Sequence, residues 1–208
     1  MAQRIPALIF YKFFIPTILN QMGYIAAEAQ VRTIPVYIVA TATCLTAAYL
    51  TDRLRHRYTF TMVGIIIATI GYVLLLCQQQ ISIGVRYFAL FLVVSGGYIT
   101  QPVILGWLSN TVSGHYKRSV SSAVQLGLGN LSGIVASLVF FDWETPFYWT
   151  GMGVSLGMMW LCAASCTAFY LYAIRENNKR DRGERDGRLL EPDADNLGDD
   201  HPYWRYAT

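Results

Sequence analysis

Long apolar runs broken by short polar connectors dominate this chain. A helix that crosses a bilayer needs about 20 mostly apolar residues at roughly 1.5 Å rise each. Six stretches satisfy this: residues 5–24, 33–50, 60–76, 87–108, 120–141 and 150–173. Lipid offers no hydrogen-bond partner to backbone groups, so these runs predict helices. Lys12, Pro16 and Asn20 interrupt the first run, which points to a retained span rather than a cleaved leader. Beyond Ala173 acids and bases crowd together and apolar residues thin out. The expected organisation is a six-helix membrane unit over residues 1–173 and a charged, disordered tail over residues 174–208.

Composition agrees. Hydrophobic residues make up 54% and charged residues 14%, against roughly a quarter charged in soluble domains. The net charge of +3 is not a nucleic-acid signal, because the bases sit in connectors and tail rather than on one helix face. Cys44, Cys77, Cys162 and Cys166 lie in apolar stretches without metal spacing, so neither metal nor other cofactor is expected. Gly153-Val154-Ser155-Leu156-Gly157 fits the G-x-S-x-G nucleophile pattern. Its base would be a histidine at membrane depth, and His56, His115 and His201 all lie outside the spans. No enzyme is expected.

The connectors alternate in charge. Arg53, Arg55 and Arg57 follow the second span, Lys117 and Arg118 follow the fourth, and most remaining bases are in the tail. The other side has only Arg32 and Arg86. Basic connectors stay in the cytoplasm, which places both chain ends there. Trp143, Phe147, Tyr148 and Trp149 then mark the outer interface.

Polar groups at membrane depth are candidates for function. Lys12 is the charged residue within a span; it either faces a wet cavity and attracts an anion such as a carboxylate, or snorkels to the surface. Tyr37, Thr41, Cys44 and Ala48 share one helical side, as do Ser95, Tyr98 and Pro102 with Gln101 beside them. Gly127, Asn130, Gly133 and Ser137 form another, with Gln125 on a neighbouring face. Lys12, Tyr37, Gln101, Gln125 and Asn130 are thus candidate substrate contacts. Close helix packing is the alternative, with Gly129-x-x-x-Gly133 and Gly153-x-x-x-Gly157 letting backbones approach. No carboxylate lies within the spans, so a coupled proton is not expected to ride on this chain.

The connector Ala48-Tyr49-Leu50-Thr51-Asp52-Arg53-Leu54-Arg55-His56-Arg57 resembles the major facilitator superfamily signature G-x-x-x-D-R-x-G-R-[RK]. Asp52, Arg53 and Arg57 match; Ala48 and Arg55 replace the glycines. Phe14-Ile15-Pro16-Thr17-Ile18-Leu19, Pro35-Val36-Tyr37 and Trp107-Leu108-Ser109-Asn110 resemble stretches of the fungal anion:cation symporters, the family of allantoate permeases. So do Gly129-Asn130-Leu131-Ser132-Gly133, Pro146-Phe147-Tyr148-Trp149-Thr150-Gly151 and Asp199-Asp200-His201-Pro202-Tyr203-Trp204-Arg205-Tyr206. The resemblance runs almost end to end. It implies an all-α membrane protein whose six-transmembrane-helix bundle matches helices seven to twelve of a twelve-helix transporter. It implies secondary transport of a small organic anion, such as a carboxylate or vitamin, by proton symport with alternating access. Asp52, Arg53 and Arg57 would gate, and the missing amino-terminal half or a second copy would be needed, since the substrate site lies between halves. A plasma-membrane location is expected. A non-transporting regulator or scaffold that keeps the fold is the alternative.

Overall fold

The computed structural model describes residues 26–139, 148–187 and 198–207, which form helices and turns without a strand. The elements are α1 (Ala26–Leu54), α2 (Arg57–Leu76), α3 (Ile83–Thr111), α4 (His115–Val139), α5 (Trp149–Asp181) and a short 3-10 turn, Gly198–Asp200. The first predicted run, with Lys12, lies outside the described residues. The second, third, fourth and sixth runs each lie inside a longer helix, because helical hydrogen bonding continues past the lipid boundary. Among the described residues four helices, α1, α2, α3 and α5, are long and apolar enough to cross a membrane by length and composition. Their outward surfaces are apolar too: Ile34, Ile38 and Leu45 on α1, Ile66 and Ile70 on α2, and Trp160 and Leu161 on α5 are exposed. In water such a surface would drive association; in lipid it is solvated.

α3 is the most buried of these helices and α1 the least. One apolar cluster joins Val36 and Ala40 of α1, Ala68, Tyr72 and Leu75 of α2, Val93 and Val94 of α3 and Met152 of α5. A second gathers Ile104 and Trp107 of α3 with Cys162 and Cys166 of α5. Tyr58 seals it, its ring stacked on Tyr170 at 4.2 Å and edge-on to Trp107 at 6.5 Å.

Small residues decide how near α2 and α3 come. A Cβ on Gly96 would meet the Gly64 carbonyl oxygen at 2.5 Å and Ala68 at 2.7 Å. One on Gly71 would meet the Val93 backbone nitrogen at 2.8 Å and the Ala89 carbonyl oxygen at 2.9 Å. The expected packing glycines Gly153 and Gly157 instead face open space. Their spacing has the right period, but α5 turns that face away from its neighbours.

The connectors with clustered bases lie at one end. Arg57, at the start of α2, reaches Gly106 near the end of α3. The Trp107 indole donates to the Ala207 carbonyl at 2.7 Å, and Lys117 of α4 pairs with Asp199 at 2.7 Å. Composition predicts disorder after Ala173; the described parts are built instead. α5 continues to Asp181, and residues 198–207 fold back onto it. Buried Arg180 explains why. Its Nη1 donates to the carbonyls of Trp204 (2.8 Å) and His201 (3.4 Å), and its guanidinium lies 4.7 Å from the Tyr206 ring centre. Asn177 and Tyr206 exchange two hydrogen bonds of 3.0 Å. Arg185 forks onto Glu176 at 2.8 and 3.0 Å. Charge-assisted bonds of this kind hold a segment that apolar burial alone cannot.

Two outcomes follow. Gly96→Ala should destabilise the bundle by on the order of 1–3 kcal/mol, since overpacking displaces backbone rather than a flexible side chain. Gly153→Ala should instead gain up to about 1 kcal/mol from helix propensity. Unfolding of both variants in detergent measures the contrast. Titration should also loosen the tail in a defined way. Partial burial pushes the Asp199 carboxyl up, but the hydrogen bond and charge of Lys117, with Arg180 nearby, hold it below its ordinary value overall. Asp199 in turn raises Lys117, with Asp200 and Tyr206 adding to that shift. The carboxylate's contribution is present above the ordinary Asp range and lost as pH falls through the depressed value. The ammonium's is present below the ordinary Lys range and lost as pH rises through the raised value. Distances between spin labels at Arg118 and Tyr203 should therefore stay constant around neutrality and lengthen only in acid and strong alkali.

Candidate functional site

Three helix ends converge on a pocket of about 370 Å³ at the basic end, lined by Ala48 and Asp52 of α1, Arg57 of α2, and Pro102, Gly106 and Asn110 of α3 among others. Arg57 is its organiser. Its Nη2 lies 3.5 Å from Asp52 Oδ1. With the Asn110 amide oxygen turned toward it, that oxygen accepts from Nη1 at 3.1 Å and also from Nη2. Gly106 makes the room, since a Cβ there would sit 2.8 Å from Arg57 Nη1. The Arg57 side chain is only 13% exposed, while that of Asp52 is 77% exposed. An ion pair with one partner in solvent is worth about 0–1 kcal/mol. The Asp52–Arg57 contact at the pocket is therefore a weak one.

Of the expected gating residues, Asp52 and Arg57 meet and Arg53 does not join them. Arg53 is exposed and reaches the Tyr49 hydroxyl, at 3.5 Å, on its own helix. It lies one residue beyond Asp52, about 100° around the helix. Asn110 is the partner that sequence reasoning did not single out as functional. Its signal was there, as the last residue of Trp107-Leu108-Ser109-Asn110.

Among the expected substrate contacts, Tyr37 of α1 lies against Tyr98 of α3, ring centres 6.2 Å apart and edge-on. Gln101, half-buried, follows Tyr98 by one turn on α3. Pro102 has no N–H to donate to the Tyr98 carbonyl, which leaves an acceptor in that turn. The groove along α1 past Tyr37, with Ile34, Ile38, Thr41 and Leu45, has a volume of about 530 Å³ and is almost wholly apolar. Thr41 adds little polarity, because its hydroxyl donates to the Tyr37 carbonyl at 2.8 Å. On α4 the two candidates part: Gln125 is buried and Asn130 exposed. Among the described residues nothing hydrogen-bonds to the Gln125 amide oxygen.

An uncharacterized transporter of Schizosaccharomyces pombe is 31% identical over 196 residues, which are 91% of this chain and 39% of the relative. An MFS-type transporter of Penicillium expansum is 30% identical over 202 residues, 94% of this chain and 39% of the relative. The chain is homologous to fungal transporters of the major facilitator type. The high-affinity nicotinic acid transporter of Saccharomyces cerevisiae is 28% identical over 198 residues, 93% of this chain and 36% of that protein. The chain thus spans about two fifths of the length of the curated relatives it matches. No family model and no solved structure matches it.

The signature that this connector resembles has a glycine where this chain has Arg55. The backbone shows why: Arg55 has φ +57°, the left-handed region that side chains disfavour. Arg55→Gly should relax the turn and raise stability by about 1 kcal/mol without moving Arg57. Thermal unfolding of the purified variant measures it, and an unchanged or lower midpoint would count against strain at this position.

Proposed function

We propose that this chain is one lobe, matching helices seven to twelve, of an alternating-access transporter that moves a small organic anion, such as a carboxylate or vitamin, together with protons. Near end-to-end similarity to transporters carries this reading, and the relative named for nicotinic acid, itself a carboxylate, supports the substrate class. Tyr37, Gln101, Gln125 and Asn130 supply hydroxyl and amide groups to the inter-lobe cavity, and Lys12 attracts the anion. Asp52 and Arg57 close the basic end, with Arg53 beside them. A second lobe completes the cavity, and the coupling proton rides on a group outside the spans of this chain. The basic end faces the cytoplasm, and the plasma membrane is the proposed location.

Uptake of labelled nicotinate and other carboxylates into vesicles tests this. The chain is reconstituted alone and with the amino-terminal half of a relative. Saturable, pH-gradient-driven flux is expected once two lobes are present. Asp52→Asn should slow it by no more than about fivefold, the worth of one exposed ion pair. Arg57→Ala should slow it more, because Asn110 loses its partner too. Absence of flux in every combination would favour a regulator or scaffold that keeps the fold.

A further inference from the structure

Described residues of α4 pack less against the rest of the bundle than those of any other helix. Its basic end is nevertheless held, and the holder is the tail. We propose that residues 198–207 are a strap, firmly anchored on α3 and α5 and reversibly fastened to α4, which limits how far the basic end of α4 can swing.

The two ends of the strap differ in physical kind. At the anchored end Arg180 is 5% exposed and donates to the Trp204 carbonyl at 2.8 Å. Asn177 exchanges two bonds with Tyr206, and the buried Trp107 indole donates to Ala207. Releasing this end takes the carbonyl acceptors from the Arg180 guanidinium, which keeps its 3.5 Å pairing with Glu176, and the acceptor from the buried Trp107 indole, a substantial cost. At the other end Lys117 Nζ pairs with Asp199 Oδ1 at 2.7 Å, and the two side chains are 62% and 28% exposed. An exposed pair is worth little and is screened by salt. Besides it, Gly198 comes close to Ser113, in the connector from α3 to α4. Gly198 itself has φ +58°, a conformation in which a glycine turns the chain toward α4 at little cost. The fastening to α4 therefore opens first, and opening leaves the anchor in place. Among the described residues, α4 is thus the helix least held by its neighbours, and its basic end is tied to the tail by an exposed pair.

Spin labels placed at exposed positions read this directly: Arg118 with Tyr203 reports the α4 fastening, and Arg175 with Tyr203 reports the anchor. Lys117→Glu and Asp199→Lys should each lengthen and broaden the 118–203 distance and leave the 175–203 distance unchanged. High salt should do the same. Combining Lys117→Glu with Asp199→Lys, which swaps the charges, should restore the short 118–203 distance, and this also excludes misfolding of the single variants. Arg180→Gln should lengthen the 175–203 distance. The strap is overturned if either single reversal leaves 118–203 short, if the swap fails to restore it, or if Lys117→Glu lengthens both distances together.

Discussion

Within lipid two apolar helices gain nothing by hiding from water, so they associate only where their atoms touch closely. Among the described residues the bundle is organised around one such contact, between α2 and α3. Gly64, Ala68 and Gly71 recur at helical spacing along one face; Ala89, Val93 and Gly96 recur along the other. The backbones come so near that an added methyl on Gly96 meets a carbonyl oxygen at 2.5 Å. This pair makes a stiff spine, against which α1 and α5 lay their own apolar faces. Both candidate regions are placed relative to it: Arg57 opens α2, and Tyr98, Gly106 and Asn110 belong to α3.

Charge is confined to the ends of the spine, and there its strength is graded. Arg180 and Glu176 are 5% and 6% exposed and are met by several partners each. Arg57 is mostly covered, yet its carboxylate partner stands in solvent. Lys117 and Asp199 are both open to water to different degrees. Burial raises the cost of losing a partner, and exposure lowers it. The same residue types thus serve as a permanent anchor near the end of α5 and as breakable contacts at the ends of α1 and α4.

Much of this could be read from the chain. Apolar runs of spanning length are compelled to be helical, because unpaired backbone groups have no partner in lipid. Charge alternation told which connectors share an end, and the contacts of Arg57, Trp107 and Lys117 place them there together. The acid and base of the signature were legible too, since Asp52 and Arg57 do meet. The packing glycines were not. Gly153 and Gly157 have the right spacing and face open space, while Gly64, Gly71 and Gly96 do the work. Spacing says that residues share a face but not which face meets a neighbour.

The tail shows the same division most sharply. Its composition is that of a solvated segment, and composition is blind to a buried guanidinium that meets carbonyls 21 and 24 residues further on. Arg180 needs acceptors, and the carbonyls of His201 and Trp204 reach it only once α5 and the turn at Gly198 have been built. By itself, then, the amino-acid order determined helices, their apolar reach and the shared end of the basic connectors, all of which follow from periodicity and solvation. Tertiary structure alone decided which helices touch, that Asn110 rather than Arg53 completes the Arg57 contact, and that residues 198–207 dock. Those depend on rotation about helix axes and on pairs far apart in the chain, which no local pattern encodes.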